Sequence, residues 1–149
     1  MKKRIDVTRG EIMAGQGEVI LSSYTENACL VIAAYDPVKK IGCLGHAIFP
    51  EANGAKRCCA SIMRDINEAV DEIIKDMVLM GSLEENIEIA LVTGENVPHE
   101  KNDPGYINRI DGAMQSLRNR HLKCRENTFC DAGRAHVALD VASGKIVFE

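Results

Sequence analysis

Six cysteines and four histidines stand out in this chain of 149 residues, because a thiol beside an imidazole can act as a nucleophile. A free cysteine has a pKa of about 8.5 and is mostly protonated at neutral pH, so it needs a nearby base. Six thiols and four imidazoles combine into 24 possible pairs, and residue type alone does not select one. Cysteines also form disulfides, bind metal ions or pack as small buried hydrophobic residues.

A metal site is the first alternative, because four potential zinc ligands lie close together in the sequence: His121, Cys124, Cys130 and His136. The chain contains neither a Cys-x-x-Cys nor a His-Glu-x-x-His pair, and Cys58 and Cys59 are adjacent, which suits two ligands of one ion poorly. We therefore predict no metal. The Gly-rich loop that binds nucleotide phosphates is also missing, so we predict no cofactor.

The compartment decides between disulfides and free thiols. The N-terminus reads MKKRIDVTRGE, which places charged residues where a signal peptide needs about 7–15 apolar ones. No segment approaches the ~18 apolar residues of a membrane-spanning helix. We therefore expect a cytoplasmic protein without membrane insertion, in which the thiols stay reduced. A net charge of −4 and a pI of 5.6 argue against nucleic acid as a partner.

The apolar patterning predicts the elements that must position any such pair. Short apolar or alternating runs predict strands over 17–21, 28–35, 41–49, 87–92, 135–141 and 145–148. Three- and four-residue spacing of apolar residues predicts a helix over 61–80, ended by Gly81, and a second helix that starts at Asp103 and Pro104. This order predicts a single α+β domain over residues 1–149, with mixed β-sheets in a sandwich-like core flanked by two main helices.

One stretch of the chain singles out a Cys–His pair. Residues 29–50 read CLVIAAYDPVKKIGCLGHAIFP, which resembles the signature of CheD, the chemoreceptor glutamine deamidase family of bacterial and archaeal chemotaxis. In that family a cysteine opens an apolar strand, a Tyr-Asp-Pro turn follows, and a histidine lies on the next strand. Cys29 and His46 are 17 residues apart, which is the family's spacing. The later order of elements also follows the family.

The resemblance implies a role for each of these residues. Cys29 would be the nucleophile and His46 the base that activates it. The family has a threonine six positions before the cysteine that helps to orient the histidine, and this chain has Ser23 there, which keeps the hydroxyl. Thr25 is an alternative hydroxyl. The backbone amides of Ala28 and Cys29 are candidates for stabilising the oxyanion.

The implied activity is deamidation of glutamine side chains on chemoreceptor helices to glutamate, through a cysteine thioester. The other five cysteines, at positions 43, 58, 59, 124 and 130, should then be replaceable without loss of chemistry. The chain departs from the family before the cysteine, where Tyr24-Thr25-Glu26-Asn27-Ala28 replaces a Gly-Leu-Gly-Ser segment. This departure leaves two alternatives open: a weakly catalytic binding module that engages a chemotaxis partner such as the CheC phosphatase, or an unrelated thiol amidase on the same fold.

Overall fold

The computed structural model describes residues 2–8, 10–24, 29–48, 64–93, 114–115, 117–124 and 136–148, and of residues 29, 48, 64 and 93 only the main chain. Within these ranges the elements follow in this order: β1 (Lys3–Asp6), β2 (Ile12–Gln16), β3 (Val19–Tyr24), β4 (Cys29–Asp36), β5 (Ile41–Ile48), β6 (Arg64–Asp65), α1 (Ile66–Leu79), a 3₁₀ turn (Glu84–Asn86), β7 (Glu88–Thr93), β8 (Lys123–Cys124), β9 (His136–Asp140) and β10 (Lys145–Phe148).

The strands form two mixed sheets. A four-stranded sheet has the order β1-β3-β9-β10, and a six-stranded sheet has the order β2-β5-β4-β7-β8, with β6 beside β5. In each sheet both parallel and antiparallel pairs occur. The predicted α+β class with a sandwich-like core is therefore confirmed. Residues 114–115 and 117–119 are helical, in the segment predicted as the second helix, whereas its predicted start at Asp103 lies outside the described residues.

Strand β4 is buried on both faces, as its continuous apolar sequence predicts. Leu30, Ile32 and Ala34 belong to a core cluster on the helix side of the six-stranded sheet, which includes the buried stripe of α1. Val31 and Ala33 belong to a second cluster, which we call the inter-sheet core because it also contains residues of β3 and β9. Alternation along the strand thus assigns each side chain to one of two cores.

Helix α1 begins five residues later than the predicted position 61. Arg64 and Asp65 instead pair with the end of β5 as a short parallel strand, so the chain is still extended there. The Asp65 side chain accepts a hydrogen bond of 2.8 Å from the Glu68 amide, which caps the first turn. The end of the helix is as predicted, because Gly81 has a φ of +116° and follows the last helical turn.

Four strands were not predicted, namely β1, β2 and the two-residue strands β6 and β8. In β1 the charged residues Lys3, Arg4 and Asp6 dominate and are exposed, as is common at a sheet edge. It pairs in parallel with β3, and β2 forms the edge beside β5. Strand β3 itself extends to Tyr24, beyond the predicted end at position 21, and so includes Ser23. None of the helices in the described part of the chain has the length and apolar composition that a membrane span requires.

Candidate active site

Ser23 and His46 meet across the two sheets. Ser23 lies on β3 two residues after Leu21, and His46 lies on β5 two residues after Leu44, so alternation places both on the faces that form the inter-sheet core. The Ser23 Oγ and His46 Nε2 atoms are 2.6 Å apart. Both residues are almost fully buried, at 3% and 4% exposed. The structure therefore brings these two predicted residues together.

The neighbouring hydrogen bond decides which atom of His46 carries the proton. Ser23 Oγ lies 2.5 Å from the main-chain oxygen of Val7, and a carbonyl oxygen can only accept. The single hydroxyl proton of Ser23 is therefore donated to Val7, and the Ser23 oxygen accepts from His46. This chain of two hydrogen bonds assigns a proton to His46 Nε2. In the neutral ring, Nδ1 is then the atom able to accept a proton.

Position 29 lies next to this pair in the register of the six-stranded sheet. Val31 is the direct partner of His46, and Cys29 is the partner of Ile48. Because Cys29 precedes Val31 by two residues, alternation places positions 29, 31 and 46 on the same face of the sheet. The side chain of Cys29 and the whole of Thr25 lie outside the described residues.

A cavity of about 410 Å³ opens beside the Ser23–His46 pair. Its described lining consists of Asp6, Val7, Thr8, Ser22, Ser23, Tyr24, His46 and His136. The sequence did not predict Asp6 and Val7 as site residues because β1 was not predicted, and it did not predict Tyr24 because the predicted β3 ended at position 21. The available signal was the alternation of charged and apolar residues from Arg4 to Val7, which is typical of a short strand with one buried face.

Three of the four residues considered as zinc ligands are described, and they are divided between the sheets. His136 lies on β9 in the four-stranded sheet and lines the 410 Å³ cavity. Cys124 lies on β8 in the six-stranded sheet. His121, with a positive φ of 58°, lines a second cavity of about 290 Å³. Cys130 lies outside the described residues.

Two bystander thiols are described, and both are poorly suited to nucleophilic attack. Cys43 is fully buried, and its burial, with the nearby negative charge of Asp76, raises the pKa of the thiol far above its ordinary value. Burial also raises the pKa of Cys124, although Arg118 opposes the shift. The thiolate is the reactive form. Neither Cys43 nor Cys124 is therefore activated by its surroundings.

The sequences of several known proteins are similar to this chain over nearly its whole length. The chain is 28% identical over 97% of its length to a Pyrococcus horikoshii protein named probable chemoreceptor glutamine deamidase CheD, of which it covers 90%. It is also 28% identical to proteins of the same name from Pyrococcus abyssi and Thermococcus kodakarensis, over 98% and 95% of the chain and 91% and 89% of those proteins. The chain is CheD-like. No family model matches it.

The similarity to CheD proteins extends over nearly the full described fold and is not confined to residues 29–50. The resemblance predicted from the hairpin of β4 and β5 is thus confirmed for the chain as a whole. At 28% identity most side chains differ between these proteins, so each site residue has to be argued from its own surroundings.

Proposed function

We propose that this CheD-like protein hydrolyses glutamine side-chain amides of chemoreceptors to glutamate, with Cys29 as nucleophile and His46 as base. The observation that carries the proposal is the buried Ser23–His46 hydrogen bond of 2.6 Å at the wall of a cavity. This hydrogen bond engages Nε2 and so assigns proton exchange to Nδ1, and position 29 is on the same sheet face. The names of the relatives supply the substrate class.

In the proposed reaction, His46 Nδ1 takes the proton of the Cys29 thiol, and the thiolate attacks the carbon of the glutamine amide. The tetrahedral intermediate carries its negative charge on the former carbonyl oxygen. His46 then donates the proton to the departing nitrogen, which leaves as ammonia, and a thioester remains. Water, deprotonated by His46, attacks the thioester, and the Cys29 thiol and glutamate are released.

Ser23 is a positioning residue in this scheme, since it contacts His46 and not the substrate. Its oxygen holds the Nε2 proton, and its own proton is held by Val7. The imidazole therefore cannot rotate or exchange tautomers without losing a buried hydrogen bond. When His46 is protonated on both nitrogens during the reaction, the same Ser23 oxygen still accepts from Nε2, so the arrangement serves both charge states. Main-chain amides at positions 28 and 29 remain our candidates for the oxyanion donors.

The test is turnover of a purified receptor cytoplasmic fragment that carries glutamine at its methylation sites. We expect ammonia release that matches the formation of glutamate, measured by mass spectrometry. Cys29→Ala should abolish both signals, and His46→Ala should reduce them by about 10²–10⁴-fold. Cys124→Ala is the matched control, because it also removes a thiol and Cys124 is not one of the described residues that line the cavity. Full activity of Cys29→Ala would contradict the proposal.

A second candidate function is a binding module that engages a chemotaxis partner such as the CheC phosphatase. The Tyr24–Ala28 segment, which departs in sequence from the family's glycine-rich one, favours this function. Residue Tyr24, which lines the cavity, is 66% exposed. Partner capture that survives Cys29→Ala, without turnover of the receptor fragment, would support this function over the first. Equal turnover of receptor fragments and unrelated glutamine peptides would instead indicate a general thiol amidase.

A further inference from the structure

A carboxylate on the wall of the cavity is held in place by a buried hydroxyl. Asp6 and Ser22 are direct partners in the parallel pairing of β1 with β3. The Ser22 hydroxyl donates to Asp6 Oδ1 at 2.7 Å, and Ser22 is fully buried whereas Asp6 is exposed. Within the described part of the chain, the hydrogen bond from Ser22 is the one recorded for this carboxylate. The second oxygen, Oδ2, is thus available to a ligand.

An aromatic ring lies on the same face of the same sheet. Tyr24 follows Ser22 by two residues, so it shares the face of Ser22 and Asp6. Its cross-strand partner is His136, and the two rings stack with centroids 4.6 Å apart at an interplanar angle of 42°. The stack restrains the Tyr24 ring, although two thirds of the residue is exposed. All four residues line the cavity.

We propose that Asp6 and Tyr24 form a subsite for a cationic side chain, lysine or arginine, of the substrate segment; this rests on the proposed deamidase function. A carboxylate attracts a cation directly, and the face of a tyrosine ring attracts it through the ring quadrupole. The net charge of −4 adds a favourable long-range field. The subsite would thus select the sequence around the target glutamine.

Arg4, Asp140 and Lys145 are also described charged residues on this face of the four-stranded sheet. Asp140 lies on the same face of the sheet but is already paired with Lys2, whose Nζ atom is 2.7 Å from its Oδ2. Arg4 precedes Asp6 by two residues, and neither Arg4 nor Asp140 is among the described residues that line the cavity. Among the described lining residues, Asp6 is therefore the carboxylate placed to receive a cation.

The subsite is close enough to the reacting pair to contact the same substrate segment. The side chains of Asp6 and Tyr24 leave the four-stranded sheet on the face opposite to those of Val7 and Ser23, and all four residues line the same cavity of about 410 Å³ as His46. In a helical substrate, side chains three or four residues apart are about 5–6 Å apart. We therefore assign to the subsite a lysine one helical turn from the target glutamine.

The experiment compares two helical peptides that carry one glutamine and differ four residues away, where one has lysine and the other norleucine. For the wild-type chain we expect kcat/KM to favour the lysine peptide about tenfold, which corresponds to about 1.4 kcal/mol. In Asp6→Asn, which can still accept the Ser22 hydrogen bond, the ratio should fall close to one. Tyr24→Phe should keep most of the preference, and Tyr24→Leu should lose part of it. Glu84→Gln is the matched control, because it removes the same charge as Asp6→Asn at a residue that does not line this cavity. It should keep the full preference for the lysine peptide.

A binding measurement separates failure of the subsite from failure of the proposed function. The two peptides, labelled with a fluorophore, are titrated by anisotropy against the full-length Cys29→Ala chain, with and without Asp6→Asn. An Asp6-dependent preference for lysine in binding supports the subsite, and if the wild-type chain turns over neither peptide, that absence of turnover contradicts the deamidase function. Cys29-dependent turnover with the same peptide ratio in wild type and Asp6→Asn overturns the subsite and leaves the function standing. Absence of an Asp6-dependent difference in both measurements also overturns it.

Discussion

Replacement of Ser23 by alanine tests the hydrogen-bond chain that orients His46. The substitution removes the partner of the Val7 carbonyl oxygen, at 2.5 Å, and of His46 Nε2, at 2.6 Å. Val7 and His46 are 2% and 4% exposed, and a buried polar group left unpaired costs about 1–3 kcal/mol. The adjoining cavity of about 410 Å³ can admit a water molecule that pairs with one of the two groups. We therefore expect Ser23→Ala to leave one group unpaired and to lower the free energy of unfolding by about 1–3 kcal/mol.

The assay for Ser23→Ala is thermal unfolding combined with turnover of the receptor fragment. For a domain of this length each kcal/mol lowers Tm by about 2–4 °C. Turnover should fall by about 5- to 150-fold if the same 1–3 kcal/mol is lost from the productive orientation of His46. Ser23→Thr is the matched control, because it keeps the hydroxyl, and it should retain most of the activity and stability. Unchanged Tm and turnover in Ser23→Ala, or equal damage by threonine, would refute the reasoning.

The tautomer itself is a direct readout of the same argument. In the wild-type chain above the pKa of the imidazole, ¹⁵N NMR of the His46 ring should show a protonated Nε2 and an unprotonated Nδ1. In Ser23→Ala the two ring nitrogens should move towards a mixture of tautomers, and in Ser23→Thr they should not. A wild-type ring with its proton on Nδ1 would contradict the assignment, whatever the activity of the variants.

Three further predictions concern stability. Cys43→Ala should cost about 1–2 kcal/mol in denaturant unfolding, because the thiol is fully buried, and should leave kcat unchanged. Asp36→Ala should lower the free energy of unfolding by about 2–4 kcal/mol, because the buried carboxylate accepts from the amides of Val38 and Lys39 and from Ser82 Oγ. Ser82→Ala removes one of these hydrogen bonds and should lower it by less. The hydrogen bond from Lys2 lowers the pKa of Asp140 in the folded state. The Lys2–Asp140 pair therefore stabilises the fold fully above the unfolded-state pKa of about 3.9. This stabilisation is lost as the pH falls through the lower pKa that Asp140 has in the folded state. The Tm difference between wild type and Asp140→Asn, at most about 4 °C at pH 7, should therefore close in acid.

The hairpin of β4 and β5 was predictable because its signals are local. A continuous apolar run, a turn at Asp36 and Pro37, and a returning strand define it within about twenty residues of sequence. The turn is stabilised locally as well, since Asp36 Oδ1 accepts from the amides of Val38 and Lys39. The pairing of Val31 with His46 then follows from the turn.

The support of His46 was not predictable in the same way, because it comes from the other sheet. The Val7 carbonyl lies beside Ser23 because β1 pairs in parallel with β3. Two parallel strands are not joined by a short turn, so the sequence carries no turn signal that predicts their pairing. The exposed charges of β1 also hide the strand in the hydropathy pattern. The family resemblance pointed to Ser23, whereas the signal for Asp6 and Val7 was an alternation of only four residues, from Arg4 to Val7, which is too short to predict β1.

Strand parity explains why the two thiols of the hairpin are not equivalent. Cys43 and His46 are three residues apart on β5, an odd number, so they lie on opposite faces of the sheet. Cys43 is accordingly packed in the core on the helix side, and a layer of backbone separates it from the imidazole. Position 29 is on the face of His46 through its pairing with Ile48. Moving the thiol by one residue, in a Cys29→Ala and Leu30→Cys double variant, would place it on the helix side, and we expect it to restore no turnover.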